Sequence, residues 1–150
     1  MIEVQIEDEA WNDAVMDAVG VVTRAAEAAL ANVGADGDVV VLLTGDDTLA
    51  DLNLRFRDKH GPTNVLSFPA PDSAGSHLGD IAIAYGVCTA EASTAAKPLE
   101  HHLMHLTAHG VLHLLGYDHE TDAEAEAMEA RERDVLKGLG VPDPYETGLT

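Results

Sequence analysis

Apolar and polar residues alternate from Ile2 to Ile6 (IEVQI), as they do in a strand with one buried face. The period then changes. From Asp8 or Glu9 onward, Trp11, Val15, Val19, Val22, Ala26, Ala29 and Val33 recur at helical spacing until Gly34, which predicts one helix. GADGD reads as a turn. The run Val39 to Leu43 is short, continuous and β-branched at its start, the pattern of a strand buried on both faces. Asp46 or Asp47 is placed to cap a second helix with Leu49, Leu52 and Phe56 on one face, ending near RDKHGP. Between Pro62 and Pro69, Asn64 to Phe68 (NVLSF) reads as a strand, followed by a polar loop over 70–78. GDIAIAYG reads as its paired strand, with Ile81, Ile83 and Tyr85 on one face and Ala82 and Ala84 on the other.

Residues 87–96 are Ala-rich and compatible with a helix, and Pro98 suits the first turn of the next one. That next helix, about 99–115, is apolar almost all round: Leu103, Met104, Leu106, Ala108, Val111, Leu112, Leu114 and Leu115 surround its axis. A helix of that kind belongs at the centre of a fold. Gly116 suits the position past its C-terminus. Thr121 and Glu124 then form a T-x-x-E capping signal for an acidic final helix with a weaker stripe of Ala125, Met128, Val135 and Leu136. The tail VPDPYETGLT reads as irregular. Strands and helices follow one another in an α+β order, and no repeat or linker divides the 150 residues, so residues 1–150 read as a single domain.

Composition adds constraints on partners. Apolar residues make up 46% of the chain but aromatics only 4%, so the interior is built from Val, Leu, Ile and Ala. A formal net charge of −19 repels nucleic acid and anionic membrane alike, so any polyanion must be met by a local site. The lone Cys88 cannot form an internal disulfide; it reads as a small packed residue in a reducing compartment. The N-terminus carries no basic leader and no stretch approaches the ~20 apolar residues of a membrane span, so a cytoplasmic location without membrane attachment is expected.

The central helix carries the candidate chemistry. Residues 109–119 read HGVLHLLGYDH. On a helix His109 and His113 project within about 40° of one another, one turn apart. They can share one ion. His119 lies past Gly116, where the chain can fold back to offer a third imidazole and leave a fourth position open, as catalytic zinc sites do. The competing reading is a hydrogen-bonded polar seam in the core, since His102 and His105 extend the same stripe. Adjacent imidazoles in an apolar helix need partners in either case, and an ion satisfies three at once.

Gly110 stands where an HExxH peptidase has its general base. An ion can still acidify water without that carboxylate, and its absence leaves room for an anion, which favours phosphate diesters over peptides. Arg55, Arg57 and Lys59 are three of the eight Lys and Arg residues and fall within five positions. Arginine suits bidentate phosphate binding; the same cations also suit a solvated helix C-terminus.

Taken together, HGVLHLLGYDH, FRDKHGPTNVLSFP (56–69) and LGDIAI (78–83) resemble, in order, the recurrent segments of the YbeY family of endoribonucleases, also called rRNA maturation factors. The resemblance implies a small mixed four-stranded sheet around a buried central helix. It implies one zinc ion per chain held by His109, His113 and His119, with His109 at the reaction centre, and Arg57 as the residue meeting RNA or the scissile phosphate. It also implies cleavage of single-stranded RNA, work on the 3′ end of 16S rRNA and ribosome quality control, with the small ribosomal subunit or assembly factors as partners. Asp118 is a candidate for orienting an imidazole, or for a loop hydrogen bond; His105 for supporting the ligands, facing RNA, or simple packing. His60, His77, His101 and His102 receive no catalytic role. Phe56 and Asp58 depart from the tyrosine and small residue of the family pattern, and Asp58 weakens the positive field beside Arg57. The alternatives are a non-catalytic ribosome-assembly factor with a structural metal, and a metal-dependent hydrolase acting on another bond.

Overall fold

The computed structural model describes residues 1–145. Four strands, β1 (Ile2–Ile6), β2 (Asp38–Thr44), β3 (Val65–Pro69) and β4 (His77–Ala84), form one sheet in the order β1-β2-β4-β3. β1 and β4 run parallel to β2, and β3 is antiparallel to β4, so the sheet is mixed and the fold α+β as expected. Six helices accompany it among the described residues: α1 (Ala10–Ala14), α2 (Ala18–Val33), α3 (Asp46–Arg57), α4 (Tyr85–Thr94), α5 (Leu99–Leu114) and α6 (Asp122–Gly138). None is long and apolar enough to cross a membrane.

Strand alternation decides which helix packs where. Val39, Val41, Leu43, Ile81 and Ile83 point to one face and form a single cluster with α2, α5 and Val135 and Leu136 of α6. Ala82, Ala84 and Leu66 point to the other and meet Leu49 of α3. α5 is the hub, packed against α2, α4, α6, β3 and β4. Its apolar perimeter is therefore consumed on nearly every side, and ten of its sixteen residues are buried.

Four local expectations need correction. The first helix is broken: Val15 is extended and Asp17 takes a left-handed φ of 54°, its carboxylate accepting from Gly20 N at 3.2 Å. Capping by a short acidic side chain there outweighs continued helical hydrogen bonding. The break turns Val19 out of the stripe, leaving it 45% exposed beside Met16 at 90%. β2 is fully buried on one face only, since Val40 and Leu42 on the other face are half-buried. Tyr85 does not extend β4 but begins α4, packing edge-on against the buried Trp11 at 5.2 Å between ring centroids. Asp46 is also not the cap of its own helix. Gly45 occupies that position, and Asp46 Oδ1 instead accepts from Val87 N in the first turn of α4 at 3.0 Å.

Two predicted end signals are present. Thr121 and Glu124 form the reciprocal capping box of α6. Past α5, Tyr117 N donates to Leu112 O at 3.0 Å and Gly116 N to His113 O at 3.0 Å, with Gly116 at φ 99°. That is a Schellman ending, which reverses the chain within two residues. It brings the YDH segment back over the helix it has just left.

Candidate metal centre

His109 and His113 come from successive turns of α5, and the Schellman ending delivers His119 opposite them. One ring nitrogen from each lies within 4.8 Å of the others. His109 Nε2 and His113 Nε2 are 3.1 Å apart. Two nitrogens each about 2.0–2.1 Å from a tetrahedral ion would sit roughly 3.3–3.4 Å apart, so the pair already has the spacing of shared ligands. Lone pairs meeting at that distance call for a proton or a cation between them. The donor set fits a divalent metal.

The tautomer of His109 is set from behind. Glu132 of α6 is only 1% exposed, and its Oε1 accepts from His105 Nε2 at 2.8 Å and from His109 Nδ1 at 3.0 Å. Its Oε2 accepts from the Tyr145 hydroxyl at 2.8 Å. Burial alone would raise this carboxyl, but the hydrogen bonds from His105 and His109 outweigh it and bring the group down to about 2. An ionised carboxylate only accepts, so His109 carries its proton on Nδ1 and turns the Nε2 lone pair toward the site. His113 is held below the ordinary imidazole range by burial and by the neighbouring His109 and His119 rings. It is unprotonated at neutral pH, as a metal ligand must be.

Glu132 is the functional residue that sequence reading passed over. A signal for it exists: with Met128, Val135 and Leu136 it occupies the buried stripe of α6, where an acid is out of place unless partnered. His105 supports the same carboxylate and does not join the triad. Asp118 takes the loop role, its Oδ1 accepting from His119 N at 2.8 Å. His102 is bonded to Glu91 at 2.8 Å, and Cys88 is buried with its thiol pushed up by that burial.

The two other motif blocks are structural neighbours of the triad. Ser67 Oγ donates to Gly110 O at 3.1 Å, fastening β3 along α5. A Cβ on Gly110 would lie 2.9 and 3.0 Å from Ile81 carbons and 3.2 Å from Ser67 Oγ. Position 110 thus faces the sheet, and the missing glutamate follows from close helix–sheet packing, not from making room for an anion. Gly110→Glu, which drives a long charged side chain against Ile81 and Ser67, should cost about 1–3 kcal/mol or more, read as a lower midpoint in denaturant; an unchanged midpoint for that variant would refute the packing argument.

Arg57, the last residue of α3, lines one cavity of about 490 Å³ together with all three histidines, Thr63 and Tyr117. Arg55 pairs with Asp51 at 3.7 Å, whereas Arg57 makes no ion pair among the described residues. Of the clustered cations it is the one directed to the site. Asp58 follows it in a left-handed conformation, φ 53°, which glycine adopts freely and aspartate tolerates better than most residues. Asn53 Nδ2 donates to Gly61 O at 2.9 Å and holds the intervening loop.

The sequence model of the family described as "Endoribonuclease YbeY" matches residues 2–140. A protein named Endoribonuclease YbeY from Rhodopseudomonas palustris strain BisB5 is 52% identical over 157 residues, covering 95% of this chain and 80% of its own. One of the same name from Bradyrhizobium sp. strain BTAi1 is 51% identical over 154 residues, covering 95% and 90%. The solution structure of TM1509 from Thermotoga maritima superposes with a TM-score of 0.59 at 24% identity, covering 98% of this chain and 100% of that one, a likeness of fold. On the matched family model and these relatives, the chain belongs to the YbeY endoribonuclease family.

Proposed function

We propose that this protein is a zinc-dependent endoribonuclease specific for single-stranded RNA, acting on the 3′ end of 16S rRNA and in ribosome quality control in the cytoplasm. The observation that carries this reading is the convergence of His109, His113 and His119 on one point in a cavity that Arg57, without an ion pair among the described residues, also lines. In this reading the three imidazoles hold one zinc ion. Such an ion, when bound, supplies Lewis acidity toward a phosphoryl oxygen and acidifies water. Glu132 keeps the His109 proton on Nδ1 and so keeps Nε2 free to bind. Arg57 receives the phosphate and offsets the charge that grows on it as the diester is cleaved.

Acids are sparse in the cavity lining despite the chain's overall charge. Asp118 is the one acid lining the cavity among the described residues, and its Oδ1 is held by the His119 backbone. Binding of long RNA by this chain should therefore rest on local contacts, with the small ribosomal subunit or assembly factors presenting the strand.

Zinc-loaded protein should cut an unstructured RNA, and Arg57→Ala should lower kcat by about 10²–10³ with zinc content unchanged. If no metal supports cleavage while Arg57→Ala still weakens association with the small subunit, the protein is an assembly factor whose metal is structural.

A further inference from the structure

A second cavity, about 560 Å³, opens on the other side of His109. It shares Asn64, Val65 and His109 with the cavity that holds the triad and Arg57, so the two are neighbouring lobes separated by one metal ligand. Their linings differ. The first lobe gathers the triad and the arginine; the second is floored by Leu106 and Ala90 and walled by the rings of His105 and Tyr145, which stand edge to face with centroids 5.5 Å apart.

Resting on the RNA reading above, we propose that this second lobe is a nucleobase site, taking the base of a nucleotide that flanks the scissile phosphate. A mainly apolar pocket bounded in part by aromatic and imidazole rings, with Lys97 and Glu91 at its polar side, suits an unstacked base, and its volume lies in the range of small-molecule sites. A polar group at its edge offers base discrimination. Glu91 Oε1 accepts from His102 Nε2 at 2.8 Å and Asn64 Nδ2 at 3.1 Å, which fixes the carboxylate. Its side chain remains 42% exposed, and Oε2 has only a long contact of 3.4 Å to Asn64 Nδ2. A fixed acceptor of this kind favours bases with an exocyclic amino group over uracil. The site also accounts for single-strand selectivity: a base seated there has left both its stack and its pairing partner.

The experiment compares mononucleotides on the zinc-loaded protein by calorimetric titration. Adenosine 3′- or 5′-monophosphate should bind at least about tenfold tighter than ribose 5-phosphate. Ala90→Phe should remove that advantage while zinc content and melting temperature are retained. Glu91→Gln should bring adenosine and uridine monophosphates toward equal affinity. Equal affinity of the adenosine phosphates and ribose 5-phosphate for the unmodified protein would overturn the proposal without any variant, and so would an advantage that survives Ala90→Phe in a folded protein. If instead ribose 5-phosphate itself does not bind and RNA is not cut, the phosphodiesterase reading fails; binding of ribose phosphate with no gain from the base sinks only the nucleobase site.

Discussion

Replacing His113 with alanine should abolish RNA cleavage, lowering the rate by about 10³-fold or more, and should leave purified protein without its metal. His113 stands between the other two ligands, its Nε2 3.1 Å from His109 Nε2 and its ring centroid 5.2 Å from that of His119. Removing it leaves two imidazoles that no longer enclose a point. Several kcal/mol of charge stabilisation depend on the ion, and each ~1.4 kcal/mol is tenfold in rate. The fold should survive, because the ring is half-buried and turned to the cavity, while the packing of α5 rests on Leu103, Ala108, Val111 and Leu112. Elemental analysis, a cleavage assay and a melting curve on the same preparation check all three expectations. Retained cleavage in a metal-free, folded variant would remove the triad from the chemistry.

The second large effect is expected at Glu132. Alanine there leaves three half-buried donors, from His105, His109 and Tyr145, with no acceptor, and each unsatisfied donor costs about 1–3 kcal/mol. Glu132→Gln separates support of the fold from support of the ligand. It keeps the shape and one acceptor oxygen, but that oxygen is neutral, so the bond from His109 Nδ1–H loses its charge assistance. Zinc affinity should fall about 10–100-fold, with a smaller loss of stability than in the alanine variant. The pH dependence has a definite sign. The carboxyl is depressed to about 2 from its ordinary 4.5. Its contribution to the metal-free protein is therefore fully present above about 4.5 and lost as pH falls toward 2. Glu132→Gln should lack that acid limb. Denaturant unfolding across this range and a competition titration with a zinc chelator read the two effects. Unaltered zinc affinity in the glutamine variant would show that Glu132 serves packing alone.

These residues also show what one chain of letters can reveal. The triad was readable because its geometry is local: two histidines four apart on a helix whose other positions are apolar, then a glycine that reverses the chain. The strands were readable for the same reason, since alternation in IEVQI and GDIAIA is a property of each strand by itself, whereas their assembly into one mixed sheet came from the family resemblance. Glu132 escaped because its meaning lies in α5, some 23 residues from its partner His109 in sequence, and nothing in EAEAMEARERD states which acid turns inward. Gly110 was misread for a similar reason. Its neighbours Ile81 and Ser67 belong to β4 and β3, so the demand for a bare backbone appears only once helix and sheet are packed. At Asp17 and Asp46 the error was one of competition: an aspartate can extend, cap or break a helix, and at each site a hydrogen bond to a nearby backbone N–H decided the outcome.

X-ray absorption at the metal edge of untagged, zinc-loaded protein tests the central claim most directly. Three imidazole nitrogens of His109, His113 and His119 on one ion predict three nitrogen scatterers at about 2.0–2.1 Å and a further light atom that exchanges when phosphate is added. The signal of three histidines should be lost in His113→Ala. A fourth protein side chain closing the ion, or a coordination shell unchanged in that variant, would contradict the account.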